Sequence, residues 1–204
     1  VTSRAEILSA ARRLIARDGA DRLTLRRLST EMGIGTTTLY HHVRGREDLL
    51  VLLLDEMLRA APQPELPPEP RERIVVTTVA IRDALAACPW VAEVLTTDGF
   101  LGLLDDESVR MVEVILTAAA EEGCTPEAAV DLFRNLWYFA VGEILIRARS
   151  RSTTPEERAQ RPGFASRNPD LLPHLAAIGP RWPAIADRDT FESGVRAFVN
   201  GMLG

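Results

Sequence analysis

Residues 23–50 read LTLRRLSTEMGIGTTTLYHHVRGREDLL, and the fold turns on where this stretch puts its apolar and its short polar side chains. Thr24 is a helix-capping residue, and Leu25, Leu28 and Met32 follow at helical spacing, so 24–32 reads as a short helix with one buried face. Gly33 closes it, because glycine takes the left-handed conformation at a helix end without a steric penalty. A second short helix starts near Gly35-Thr36 and runs to about His42, with Leu39 facing inward. Two helices joined by so tight a turn form a helix-turn-helix: the first braces, and the second offers its N-terminal turn to a major groove. Thr36, Thr37 and Thr38 occupy that turn, with hydroxyls for phosphates or base edges and methyls that suit the thymine methyl. Tyr40, His41 and His42 follow within reach of phosphates. Thr24, Leu25, Arg26 and Arg27 open the bracing helix and Arg46 opens the next one; helix N-termini attract phosphate, which suits these positions to backbone contacts.

Outward from this motif the apolar spacing stays helical. Ile7, Leu8, Ala11, Leu14 and Ile15 form one stripe, with Ser3 as a cap and Asp18-Gly19 as a stop. A leucine-rich helix covers 47–60, and five prolines then make 62–70 a stiff connection. Helices are expected at 72–87, 90–96 and 106–122, the last with Asp105, Asp106 and Glu107 at its positive end. Thr125-Pro126-Glu127 starts a helix running to about Arg149 that is apolar on most sides, and a last amphipathic helix lies within 188–203. Residues 150–170 are polar and broken by Pro and Gly, which fits a loop with at most a short helix near 155–161 and with Phe164 as a lid residue. The chain is expected to be all-α: an N-terminal three-helix helix-turn-helix domain over 1–46, then a larger helical domain over 47–204.

Composition agrees. The net charge of −5 is uneven: residues 1–50 carry nine arginines against six acids, while residues 51–204 carry fifteen against 23, a basic head on an acidic body. All 24 basic residues are arginine, which removes the lysine-ended phosphate loop and Schiff-base chemistry. No nucleophile elbow, metal cluster or glycine-rich phosphate loop is present, so no enzyme, metal or cofactor is expected. Cys88 and Cys124 lie in no metal-binding spacing and leave only a redox role to consider. No apolar run has the length of a membrane span and the first segment is amphipathic, so a cytoplasmic location is expected. Trp90, Phe100, Met111, Trp137 and Tyr138 are candidates to line a ligand cavity or simply to fill the core; Glu143 and Arg147, four apart, suit a polar ligand or an ion pair.

Arg26-Arg27-Leu28-Ser29-Thr30-Glu31-Met32-Gly33-Ile34, followed by Thr38-Leu39-Tyr40-His41-His42-Val43, Arg46 and Leu49-Leu50, resembles the DNA-binding domain of the tetracycline-repressor (TetR) family. Cys88-Pro89-Trp90, the segment around Tyr138-Phe139-Ala140-Val141-Gly142 and the closing Phe191-Glu192-Ser193-Gly194-Val195 resemble its C-terminal domain more diffusely. The resemblance implies DNA contacts from Tyr40, His42 and Arg26, with Arg46 standing where the family has a lysine. It implies a homodimer through helices about 126–149 and 188–203, with Gly142, Gly194 and Gly201 allowing close approach, and hence a palindromic double-stranded operator. It also implies a small-molecule effector that releases a repressor. The stretch Val94-Leu95-Thr96-Thr97 lacks the histidine of tetracycline-binding members, so a mostly apolar organic molecule is expected rather than magnesium–tetracycline. The alternative is a helical ligand-binding module without sequence-specific DNA binding.

Overall fold

A computed structural model describes residues 2–88, 90–95, 99–151, 154, 164 and 167–204. The described residues are helical, and their first three helices form the head: α1 (Arg4–Asp18), α2 (Leu25–Met32) and α3 (Thr36–Tyr40). Local chemistry sets each boundary. Ser3 Oγ accepts from the Glu6 backbone N–H at 3.2 Å while Glu6 reaches back to the Ser3 N–H at 2.7 Å, a reciprocal cap on α1. Thr24 Oγ1 accepts from the Arg27 N–H at 3.2 Å, and Gly33 takes a φ of 65° at the end of α2. Helix α3 ends at Tyr40, two residues earlier than the sequence pattern suggests: His41 and His42 form a turn in which the His42 N–H returns to the Leu39 carbonyl at 3.0 Å.

Among the described residues eight further helices follow. They are α4 (Arg46–Ala60), α5 (Pro70–Ala86), α6 (Val91–Leu95), α7 (Arg110–Glu121), α8 (Pro126–Arg151), α9 (Pro173–Ile178), α10 (Trp182–Ala186) and α11 (Phe191–Leu203). A short helical turn, Phe100–Leu103, lies between α6 and α7. Helix α7 begins at Arg110 rather than near 106, because the acidic residues there are spent on a turn: Asp105 Oδ1 accepts from the Ser108 N–H at 2.9 Å. The same turn is tied to α4, since the Asp105 N–H donates to Asp55 Oδ1 at 3.0 Å and Ser108 Oγ to the Asp55 carbonyl at 3.2 Å. The short helix expected at 155–161 lies outside the described residues; Phe164 packs edge-on against Trp182 with ring centroids 4.7 Å apart.

Two apolar cores hold these helices, α9 and α10 excepted. One begins with Ile7, Leu14, Leu28 and Leu39 in the head, continues through Leu49, Leu50, Leu53 and Leu54 of α4, and reaches Leu85, Val91, Phe100 and Ile144 in the body without a break. The other joins α5, α7, α8 and α11 through Ile74, Ile115, Leu132, Leu136, Phe191 and Val195. The head is therefore not an island; α4 belongs to its core and to the body's.

Candidate nucleic-acid interface and effector cavity

The recognition turn depends on one buried anchor. Leu39 has no exposed surface, and it holds the five-residue α3 against the bracing helix so that Thr36, Thr37 and Thr38 stand in solvent. Tyr40, 58% exposed, and the exposed His41 continue that surface; His42 is half-buried. Arg4, at the start of α1, lines a shallow pocket of about 310 Å³ with Tyr40, His41, His42 and Arg44. This gathers cationic and hydrogen-bonding groups beside α3, the arrangement that phosphate contacts require. Nothing in the local pattern of the sequence marked Arg4; its place comes from the way α1 packs across the motif.

The arginines of the motif divide by partner. Arg26 is exposed, and among the described residues its guanidinium has no hydrogen-bond or ion-pair partner. Arg27 is committed: it meets Asp18 at 2.6 Å and donates to the Arg22 carbonyl at 3.1 Å. Asp18 also accepts from Arg17, which bridges on to Glu31 at 3.0 Å, and these guanidinium bonds hold both carboxyls below the usual carboxylate range. Arg46 is turned inward, with Nε 3.0 Å from the Leu23 carbonyl and a terminal nitrogen 3.0 Å from that of Ala20. It braces the connection between α1 and α2. Thr24 and Leu25 flank that connection, Thr24 exposed with its hydroxyl spent on the cap and Leu25 half-buried.

The six residues singled out for a ligand do not share one space. Phe100, Met111 and Trp137 do: they line an apolar cavity between α4, α5, α7 and α8, closed down to about 40 Å³. Trp137 packs against Phe100 at 5.3 Å and stacks on Phe133 at 6.3 Å. Trp90 lines a separate groove between α1, α4 and the end of α5. Tyr138 points outward, 64% exposed, because one residue along a helix rotates the side chain about 100° from Trp137. Glu143 pairs with Arg147 beside Arg82 and Asp189, in a pocket of about 570 Å³ between α5 and α8. That pair raises the Arg147 pKa through its hydrogen bond to Glu143. The Cys88 thiol faces the Met57 thioether and is pushed up by burial, against the thiolate character of a reactive cysteine. Among the described residues there is no cluster of metal-ligating side chains, and no helix is long and apolar enough to cross a membrane.

Several outward-facing apolar side chains lie on two of the long helices. Val130, Tyr138 and Ile146 on α8 and Phe198 and Met202 on α11 are exposed, more than solvated helices carry without a partner. Gly142 and Gly201 face open space, whereas a Cβ on Gly194 would lie 2.7 Å from the Phe139 ring. The close approach at Gly194 is made within the chain.

Residues 7–53 match the bacterial regulatory proteins of the tetR family, and residues 63–204 match the tetracyclin repressor-like C-terminal domain. An HTH-type transcriptional regulator of Saccharopolyspora erythraea is 27% identical over 97% of this chain and 83% of its own. The HTH-type transcriptional repressor DrrR1 of Streptomyces coeruleorubidus is also 27% identical, over 96% of this chain and 75% of its own. Among solved structures, the TetR family protein ActR of Streptomyces coelicolor in complex with (S)-DNPA is 25% identical, covers 99% of this chain and 97% of its own, and superposes with a TM-score of 0.78. The two matched regions take in both the helix-turn-helix and the helical body, and the chain belongs to the tetR family of bacterial regulatory proteins, DNA-binding transcriptional regulators that are not enzymes.

Proposed function

We propose that this chain is a repressor that binds a palindromic operator as a homodimer and releases it when a small, mostly apolar organic molecule enters the body. The observation that carries the reading is α3, whose only buried side chain is Leu39 and whose three threonines are all exposed. In the complex, Thr36, Thr37 and Thr38 meet base edges in the major groove. Tyr40, His41, His42 and Arg26 contact phosphates, with Arg4 added from α1, and Thr24 and Leu25 lie against the backbone. Arg46 contributes by fixing the connection between α1 and α2 on which that surface rests. Residues 1–46 read DNA and 47–204 sense and dimerise, through the exposed apolar faces of α8 and α11. A regulator of this kind works where the chromosome is, in the cytoplasm.

Release requires a ligand that favours one of two arrangements. The cavity at Phe100, Met111 and Trp137 holds about 40 Å³, far below the few hundred Å³ a drug-sized ligand fills, so an effector must part α7 from α4 and α5. The turn carrying Asp105 and Ser108 moves with α7 and is hydrogen-bonded to Asp55 of α4. Helix α4 therefore carries the displacement to the head. A second reading, a ligand-binding module without sequence-specific DNA binding, makes the opposite prediction in the same experiment. Purified protein is incubated with sheared DNA of its own genome at moderate salt, and what it retains is sequenced. Recovery of a short palindrome near a promoter is expected, and Arg26→Ala or Tyr40→Ala should each weaken that site about tenfold. Retention of no DNA, or of DNA without sequence preference, sinks the repressor reading.

A further inference from the structure

A groove of about 1040 Å³ lies between α1 of the head and α4 and the end of α5, more than twenty times the volume beside Phe100 and Met111. Ala16 contributes to one wall and Ala84 and Ala87 to the other, so side chains no longer than a methyl leave the space between them unfilled. The half-buried Trp90 and Met57 present an indole and a thioether to it, two groups that favour aromatic rings. Its charge is unbalanced. Glu56 and Asp21 line the groove against the single guanidinium of Arg12. Glu56 Oε2 is shielded from solvent and forms an ion pair with Arg12 at 3.1 Å that is out of line for a hydrogen bond. Asp21 is exposed and has no ion-pair partner among the described residues.

An apolar slot with an aromatic surface and a surplus carboxylate suits one class of ligand. We propose that this groove is a second ligand site, separate from the body cavity, and that it takes a flat fused-ring aromatic bearing an amine or other cationic group. The rings lie between the alanine walls against Trp90, and the cation faces Glu56 and Asp21, whose two charges Arg12 only half offsets. Because the walls belong to α1 on one side and to α4 and α5 on the other, a ligand here bridges head and body directly. The proposal does not depend on DNA binding, and its test uses none.

The probe is proflavine, a tricyclic aromatic cation, titrated against the full chain without DNA and followed by fluorescence anisotropy. Binding is expected with a Kd on the order of 10 µM, and no binding up to about 1 mM overturns the proposal. Anthraquinone-2-sulfonate, equally flat but anionic, should compete at least about tenfold less well, since it meets Glu56 and Asp21 with the wrong sign. Glu56→Gln should weaken proflavine about fivefold, the size of one partly screened charge contact. Ala16→Trp fills the groove from an exposed position and should abolish binding. Asp21→Asn, exposed as well, should weaken it about twofold and serves as the charge test should Ala16→Trp not fold. Met111→Ala, in the body cavity, should leave proflavine unchanged. Loss of binding in Met111→Ala with full binding in Glu56→Gln and Ala16→Trp places the dye in the body and overturns the proposal. Operator retention by the same wild-type protein reports on the repressor reading independently.

Discussion

Leu39 and Tyr40 are neighbours in α3, one fully enclosed and the other largely in solvent, and the interface depends on that contrast. A helix of five residues has almost no stability of its own, so the anchor under it decides where its threonines point. At this scale the sequence shows residue type and helical face, and it places Leu39, Thr36, Thr37 and Thr38 correctly. It does not show which of two adjacent arginines is tied. Arg27 is taken by Asp18, nine positions back, while Arg26 is left to solvent. Arg46 illustrates the same limit, because its carbonyl partners lie 23 and 26 positions away. Asp189 offers a measurable case. Its carboxylate accepts from the Phe191 N–H at 3.0 Å and from Arg82 at 3.1 Å, and these bonds, the backbone one foremost, hold it below the usual carboxylate range. A carboxyl lowered by folding stabilises the native state above its unfolded-state value near about pH 4 and ceases to do so as pH falls through its folded value. Asp189→Asn should thus melt lower than wild type at pH 7, and the gap should narrow as melts are taken from about pH 4 downward. Parallel acid limbs in the two proteins would remove Asp189 from the acid response.

Among the helices, legibility follows locality. Ser3, Gly19, Thr24, Gly33 and Pro126 mark boundaries that caps enforce within a turn, and those boundaries agree with the sequence pattern. The onset of α7 shifted to Arg110 because Asp105 is bound to Asp55, 50 residues earlier, a contact no local pattern encodes. Helices α9 and α10 carry no recognisable period over six and five residues; only a proline in the first turn of each announces them. The ligand candidates scattered over three spaces for a related reason: apolar residues on α8 are frequent enough that the face each occupies, not its type, decides its neighbours. Glycines in α11 test the packing of that helix. A Cβ at Gly194 would press into the Phe139 ring, which is held between Phe191 and Phe198 at centroid distances of 5.0 and 5.3 Å. Overpacking there costs about 1–3 kcal/mol, more than the helix propensity alanine gains, so Gly194→Ala should lower the melting temperature. Gly201→Ala meets nothing within 4 Å and should raise it by up to about 1 kcal/mol of stability. If Gly201→Ala also lowers the dimer fraction in sedimentation, Gly201 lies in the dimer interface; a drop for Gly194→Ala alone would place the interface elsewhere.

At the scale of the molecule, a basic head stands on an acidic body, with apolar faces of α8 and α11 left open and a wide groove between head and body. The sequence pattern puts the division between head and body in the turn before α4. The buried leucines of α4 belong to the same core as Leu28 and Leu39, and that core continues to Phe100 and Ile144. Head and body should accordingly melt in one transition, and a fragment of residues 1–46 should show no cooperative melt by circular dichroism; a folded fragment would break the inference. This bears on how such a protein is recombined. A chimaera that cuts at residue 46 leaves Leu28 and Leu39 facing a stranger's fourth helix, whereas a cut in the proline-rich stretch 62–70 keeps α4 with the head it supports. The transferable unit for building a new sensor is the motif together with its fourth helix, and the seam where lineages can exchange specificities lies at the prolines.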